Sequence, residues 1–213
     1  MSSREMILEK LHNAAALDQI NKNIITIPEP RYGDEEVFVS KATAAGAQVF
    51  RTNLHEAAGV IKTVLEEIGS KSIILSDEKI IKELGVQAIA GDLGIDCRYA
   101  DDYPGAAYRR NVLQTEIGIS SCDYALADSG SLVIIHDSDN QRLISLAPDY
   151  YIGIVKTSQM LKDRIDLAAI LEKEGRSAAV SIITGVSRTA DVALQVVLGM
   201  HGPRKVYIII VED

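Results

Sequence analysis

Hydrophobic and polar positions follow two rhythms along this chain. Short apolar runs stand at residues 72–75, 95–100, 150–155, 179–184 and 206–211, the length of buried strands. Between them, apolar residues recur every three or four positions. Asn53 can cap a helix with Glu56 three residues on, and Leu54, Ala57, Ala58, Ile61, Leu65 and Ile68 then share one face up to Gly69. The same rhythm predicts helices over 34–45, 77–84 and 104–115. It also predicts a helix from Ser158 to Glu174, with Leu161, Ile165, Ala168 and Leu171 inward, and one over 189–198. A strand is expected at 47–51. Strand and helix in alternation give an α/β fold: three layers, with a mostly parallel sheet and helices on both faces.

The middle of the chain breaks the alternation. Residues 117–119, 124–127 and 132–136 are strand-like, and only Asp128-Ser129-Gly130-Ser131 separates the last two, which predicts an inserted antiparallel hairpin. Residues 137–141 read as a polar loop. At the N-terminus, 4–20 read as a helix with Ile7, Leu8, Leu11 and Ala15 on one stripe. Two prolines and a glycine in 27–34 make an extended connection. Residues 1–33 are thus expected to be an arm and linker, and 34–213 a single α/β domain.

Charge and cysteine content narrow the function. With 22 basic and 30 acidic residues among 213, the net charge is −8, which argues against a general nucleic-acid binder but leaves room for a local basic patch. Two cysteines, Cys97 and Cys122, are fewer than the four thiolates of an iron–sulfur cluster, and they fit a reducing cytoplasm better than a disulfide framework. No apolar run approaches the ~20 residues of a membrane span. His12, His55, His136 and His201 show no paired helical spacing, so no metal site is expected.

Three stretches could carry chemistry. In Thr184-Gly185-Val186-Ser187-Arg188-Thr189-Ala190-Asp191 a strand hands over to a predicted helix. Gly185 permits close backbone approach, Ser187 or Thr189 can cap the helix, and Arg188 can grip a carboxylate or phosphate. In the 128–131 turn, Asp128 can act as base or nucleophile, while Ser129, Gly130 and Ser131 can form an anion nest. In Gly199-Met200-His201-Gly202-Pro203, His201 can exchange protons. Arg142 is a further anion ligand. Each stretch also reads as an ordinary turn, since Asp, Ser and Gly are common turn residues.

Read together, these stretches resemble a family. Residues 118–132, the run Arg142-Leu-Ile-Ser-Leu-Ala-Pro148, residues 184–191 and residues 199–203 are similar, in order and spacing, to the motifs of the LUD (lactate-utilisation) domain. The likeness covers about 34–213. Val186 stands where the family often has proline, Ser131 where it has threonine, and Met200 where it has valine. The resemblance implies a fold like that of sugar-phosphate isomerases, CoA transferases and formyltetrahydrofolate cyclo-ligases. It implies a part in oxidising L-lactate to pyruvate, with iron–sulfur clusters in partner proteins and no cofactor in this chain. Asp128 and His201 are the candidate proton-handling residues. Ser129, Gly130, Ser131, Arg142, Gly185, Ser187, Arg188, Thr189 and Asp191 are the candidates to hold a small carboxylate or phosphorylated metabolite. An acyl-transfer or isomerase enzyme and a non-catalytic assembly subunit both stay open, as does a homo-oligomer.

Overall fold

The computed structural model describes residues 4, 6–10, 29–103, 105–136, 142–174, 179–190 and 196–213. Six strands form a parallel sheet: β1 (Gln48–Asn53), β2 (Ser72–Leu75), β3 (Asp96–Tyr99), β4 (Ile117–Ser121), β7 (Tyr150–Lys156) and β12 (Lys205–Glu212). Their order is β1-β12-β7-β4-β2-β3. A second sheet, in the order β8-β5-β6-β9, holds β5 (Tyr124–Leu126), β6 (Ser131–His136), β8 (Met160–Leu161) and β9 (Ala179–Ile183). The expected hairpin is its centre, with β5 antiparallel to β6.

The central strands are apolar on both faces because both faces are covered. In β12 every residue from Val206 to Val211 is buried. On one face lie the helices α2 (Ala57–Ile68), α3 (Lys79–Glu83) and α4 (Val86–Asp92), with Ile61, Leu65, Ile81 and Ala90 packed on Ile73, Ile117, Ile154 and Ile209. Helix α2 starts later than its sequence pattern predicts. Asn53 ends β1 and accepts from the amides of His55 and Glu56 in a turn before the helix. Leu54 is exposed, and Glu56 at the N-cap position makes no side-chain cap bond. Gly69 ends the helix in the left-handed region, as expected, donating to the Leu65 carbonyl.

The other face is covered in two halves. Helix α1 (Glu35–Ala44) and the second sheet take one half, where Phe38, Ala42, Leu132 and Ile134 meet Tyr151, Val155, Ile208 and Ile210. Helices α5 (Ala106–Val112) and α6 (Arg142–Leu146) take the other, with Tyr108, Val112 and Ile144 against Ile74. Helix α7 (Arg164–Glu174) brings Leu167 against Leu126, Val133 and Leu161 of the second sheet. No helix among the described residues is long and apolar enough to cross a membrane.

Further local expectations are corrected. Of the segment expected as a helix over 189–198, the described residues at its two ends are in strands. Arg188–Ala190 (β10) and Val196–Leu198 (β11) pair antiparallel, and β-branched Thr189, Val196 and Val197 suit that geometry. Ser187 and Thr189 therefore cap no helix. The segment 179–183 does not join the parallel sheet but extends the hairpin sheet, antiparallel to β6. The helix expected from Ser158 starts only at Arg164, where the Asp163 carboxylate accepts from the amides of Ile165 and Asp166. Asp166, Leu167 and Ala169 are buried and the predicted Leu171 packs in the same cluster as Leu167, whereas Ile165 and Ala168 are exposed. Of the predicted N-terminal helix, residues 4 and 6–10 are helical. The rest, and the 137–141 loop, lie outside the described residues.

Close packing makes opposite demands on two glycines. Gly130 has φ +65°, and a Cβ there would stand 2.1 Å from the Ala42 amide nitrogen. Gly59 is helical and exposed, with open space around it. Gly130→Ala is expected to cost about 3 kcal/mol and lower the thermal midpoint by roughly 6–12 °C. Gly59→Ala is expected to add about 1 kcal/mol. Thermal unfolding of the two variants checks both signs.

Candidate functional site

The residues of the 128–131 and 184–188 stretches gather around helix α1, at different points along it. Asp34 caps its first turn, accepting from the amides of Glu36 and Val37. Near its other end the 128–131 turn closes on the helix backbone through Gly130. The 184–185 turn does the same through Gly185 (φ +64°), where a Cβ would meet the Ala45 carbonyl oxygen at 2.1 Å. The two turns are tied together: Ser131 Oγ lies 2.7 Å from Thr184 Oγ1 and donates to Ser129 Oγ at 2.9 Å. Arg188 donates from Nη2 to the Ala45 carbonyl at 3.0 Å, placing its charge at the negative end of the helix dipole. Val186 packs within the same core and lies beside Gly46.

Asp128 faces a different space. Its backbone amide donates to the Lys162 carbonyl. Its side chain lines a cavity of about 380 Å³ with Tyr32, Asp34, Val37, Ala127 and Lys162. Tyr32 is brought there by a strap. Residues 29–33 run beside β8, with Gly33 donating to the Met160 carbonyl, Lys162 donating to the Arg31 carbonyl, and Tyr32 bridged to Leu161. Asp166 holds the strap, accepting from the Arg31 amide (2.9 Å), Nε (3.0 Å) and Nη2 (3.3 Å), and from the Asp163 amide (3.1 Å). Burial alone would push this carboxyl up, but the hydrogen bonds and the Arg31 charge outweigh it and hold the pKa below the usual range.

His201 borders a third space, a groove of about 300 Å³ between Leu113, Leu143 and Leu146 on one side and Met200 and Gly202 on the other. The 184–188 and 199–203 stretches close on each other: Ser187 donates to the Pro203 carbonyl and Gly199 donates to the Ser187 carbonyl. Thr189 lies in β10, and Asp191 is outside the described residues. Arg142 begins α6, and its charge reaches His136 at the end of β6. Burial lowers the imidazole pKa of His136, and the Arg142 charge lowers it further. Asp128, His201 and Arg188 thus occupy three surroundings, joined by the turns that hold α1.

Sequence reasoning passed over the carboxyl edge of the parallel sheet. There the Ser76 hydroxyl, just beyond β2, donates to Glu78 Oε2. Burial pushes the Glu78 carboxyl up. The Ser76 bond and the backbone amides of Glu78 and Ser121 pull the other way, and Asp123 adds repulsion. Beneath it, the buried Tyr151 hydroxyl lies 2.8 Å from Ser120 Oγ and 3.5 Å from Cys122 Sγ. Both cysteines are free and buried, and burial pushes each thiol up to about 12. The signal for Glu78 was its position at the end of a buried strand, where open α/β sheets place their ligands.

A mostly parallel sheet closed on one side by a small second sheet defines an α/β class, and comparison with known proteins narrows it to a family. The LUD domain matches residues 35–211, and the chain belongs to that family. It is 30% identical to the uncharacterized protein YkgG of Escherichia coli (strain K12), over 76% of this chain and 72% of that one. It is 27% identical to a protein named "Lactate utilization protein C" from Halalkalibacterium halodurans, over 83% and 78% of the two chains. A protein of the same name from Macrococcus caseolyticus is 31% identical, over 72% and 67%. The crystal structure of a DUF162 family protein from Deinococcus radiodurans superposes with a TM-score of 0.59 at 20% identity, covering 83% of this chain and 94% of that one. That likeness speaks for the fold.

The strap yields a local prediction. Asp166→Asn removes a charge that organises four donors and is expected to ease opening of residues 29–33 by about 2 kcal/mol. Tryptic cleavage after Arg31 should then rise roughly thirtyfold. Because the Asp166 pKa is lowered in the folded state, its contribution is present above the ordinary aspartate pKa and is lost as pH falls through the depressed value. In the wild type, an acid-stable protease should therefore cut the strap faster only in that acid range.

Proposed function

We propose that this protein serves lactate utilisation, as a component of the oxidation of L-lactate to pyruvate, beside partner proteins that carry iron–sulfur clusters. The observation that carries the reading is the family match over 35–211, together with relatives named lactate utilization protein C that align over two thirds or more of both chains. A fold by itself does not give a function, so the relatives bear most of the weight.

The residues add one supporting argument. Moving electrons from lactate needs redox groups, and this chain offers two buried cysteines whose thiols are held protonated. Electron transfer through thiolate-bound clusters therefore falls to other chains. A fixed arginine and a proton-receptive carboxyl are the kind of groups a subunit handling the organic acid would use.

Deleting the gene tests this. The deletion strain is expected to grow on pyruvate and to fail on L-lactate as sole carbon source, and the intact gene in trans should restore growth. Extracts of the deletion strain should oxidise L-lactate at less than a tenth of the parental rate. Parental growth on lactate by the deletion strain would overturn the reading.

A further inference from the structure

We propose that the cavity between the strap, the first turn of α1 and the 128–131 turn binds an amino acid with a small apolar side chain, Asp128 meeting the ligand's ammonium and Lys162 its carboxylate. This site stands independently of the lactate-utilisation reading.

The cavity itself supplies the first argument. Its volume of about 380 Å³ is that of a small-molecule site. Separate stretches of chain build it. Tyr32 and Asp34 come from the strap and the cap of α1, Val37 from the helix, Asp128 from just beyond β5, and Lys162 from just beyond β8. Each stretch is pinned. Asp166 holds Arg31, Asp34 caps α1, and the amides of Ala127 and Asp128 donate to the carbonyls of Leu161 and Lys162. Gly33 lets the strap lie directly on Ala127, since a Cβ there would stand 2.6 Å from the Ala127 Cβ. The walls are therefore in place before a ligand arrives, which spares it the cost of ordering them.

The second argument is unspent charge. The Asp128 carboxylate and the Lys162 ammonium line this one cavity, yet they do not pair with each other or with any other described residue. Arg31, the other cation of the region, is already engaged by Asp163 and Asp166. Opposite charges that face one space without meeting are complementary to a molecule that carries both. Asp34 decides what stands opposite Asp128. Its Oδ1 accepts from the amides of Glu36 and Val37, while Oδ2 takes no bond from a described residue. Two carboxylates against one ammonium favour a full positive charge on the ligand over a neutral hydroxyl, and they disfavour a simple anion.

The apolar lining sets the side chain. Val37 and Tyr32 are largely exposed where they border the cavity, and Ala127 lies among them. A branched aliphatic group covers such a surface and gains by leaving water. The Tyr32 ring also attracts an ammonium beside it. Contact with Tyr32 ties the strap to the body. A ligand that binds only while the strap is closed holds back every event that needs it open, in proportion to ligand concentration over Kd.

Calorimetric titration of the purified full chain with L-leucine and three analogues tests the site. Isocaproate lacks the ammonium, isoamylamine lacks the carboxylate, and leucic acid carries a hydroxyl in place of the ammonium. Leucine is expected to bind about tenfold or more tightly than each of them. With leucine at ten times its Kd, tryptic cleavage after Arg31 should slow about tenfold. Asp128→Asn should weaken leucine and isoamylamine about tenfold and spare isocaproate. Lys162→Met should weaken leucine and isocaproate about tenfold and spare isoamylamine. Both side chains are exposed, so both variants should fold as the wild type does, which thermal unfolding checks. No leucine binding by the wild type, equal affinity for leucic acid, or binding that leaves the cut after Arg31 at its free rate overturns the proposal. Undiminished leucine binding in folded Asp128→Asn or Lys162→Met overturns it as well. The wild-type measurements decide the matter even where a variant fails to fold.

Discussion

The close approach of two turns to one helix end organises much of this molecule. Gly130 and Gly185 both bring their backbones against residues 42–45, at distances that leave no room for a side chain. The 128–131 turn joins β5 to β6, and the 184–185 turn leads out of β9. Fixing both on α1 sets the second sheet against the parallel sheet, with Leu132 and Ile134 buried on Tyr151 and Ile208. The Ser131–Thr184 hydrogen bond locks the turns to each other, and Arg188 closes the helix end. Residues that look like a ligand loop in the sequence are thus also the joinery between two sheets.

That joinery stands apart from a second set of polar groups. The turns at 128–131 and 184–188 surround α1. Glu78, the Ser120–Tyr151–Cys122 cluster and the end of β6 stand at the carboxyl edge of the parallel sheet. Packing is densest where glycines allow backbones to touch. Half-exposed, oriented polar groups collect where strands end and helices have already turned away. The two regions share the hairpin: one end of β6 carries Ser131, the other His136.

How far the sequence could be read follows from what kind of signal each part carried. Strands β2, β7 and β12 were legible because both of their faces are buried, which leaves an unbroken apolar run. Helix α2 was legible because Ala57, Ile61, Val64 and Leu65 form a single stripe that ends at Gly69, although its start was set too early, at Asn53. The placement of β9 was not, because an apolar run does not say which sheet it joins. Residues 188–198 misled because cap-like hydroxyls before an apolar stretch also suit a hairpin. Helix α7 was set one face off because Asp166, a charged residue, turns inward to meet Arg31. For the site, the turn motifs were visible as motifs. Glu78 was not, since a lone glutamate after a strand acquires meaning only once β4 is seen beside β2.

The position of β12 has a consequence for how the protein is made. β1 is an edge strand whose one neighbour in the sheet is β12, and Gln48 pairs with Tyr207, a loop closure of about 160 residues that few small domains require. During synthesis β1 and β7 lack the strand that joins them until residues 205–212 emerge. Apolar sheet surface stays open during that interval, which favours association with other chains. Loss of residues 205–212 would leave that slot unfilled, which makes β12 the keystone of the sheet.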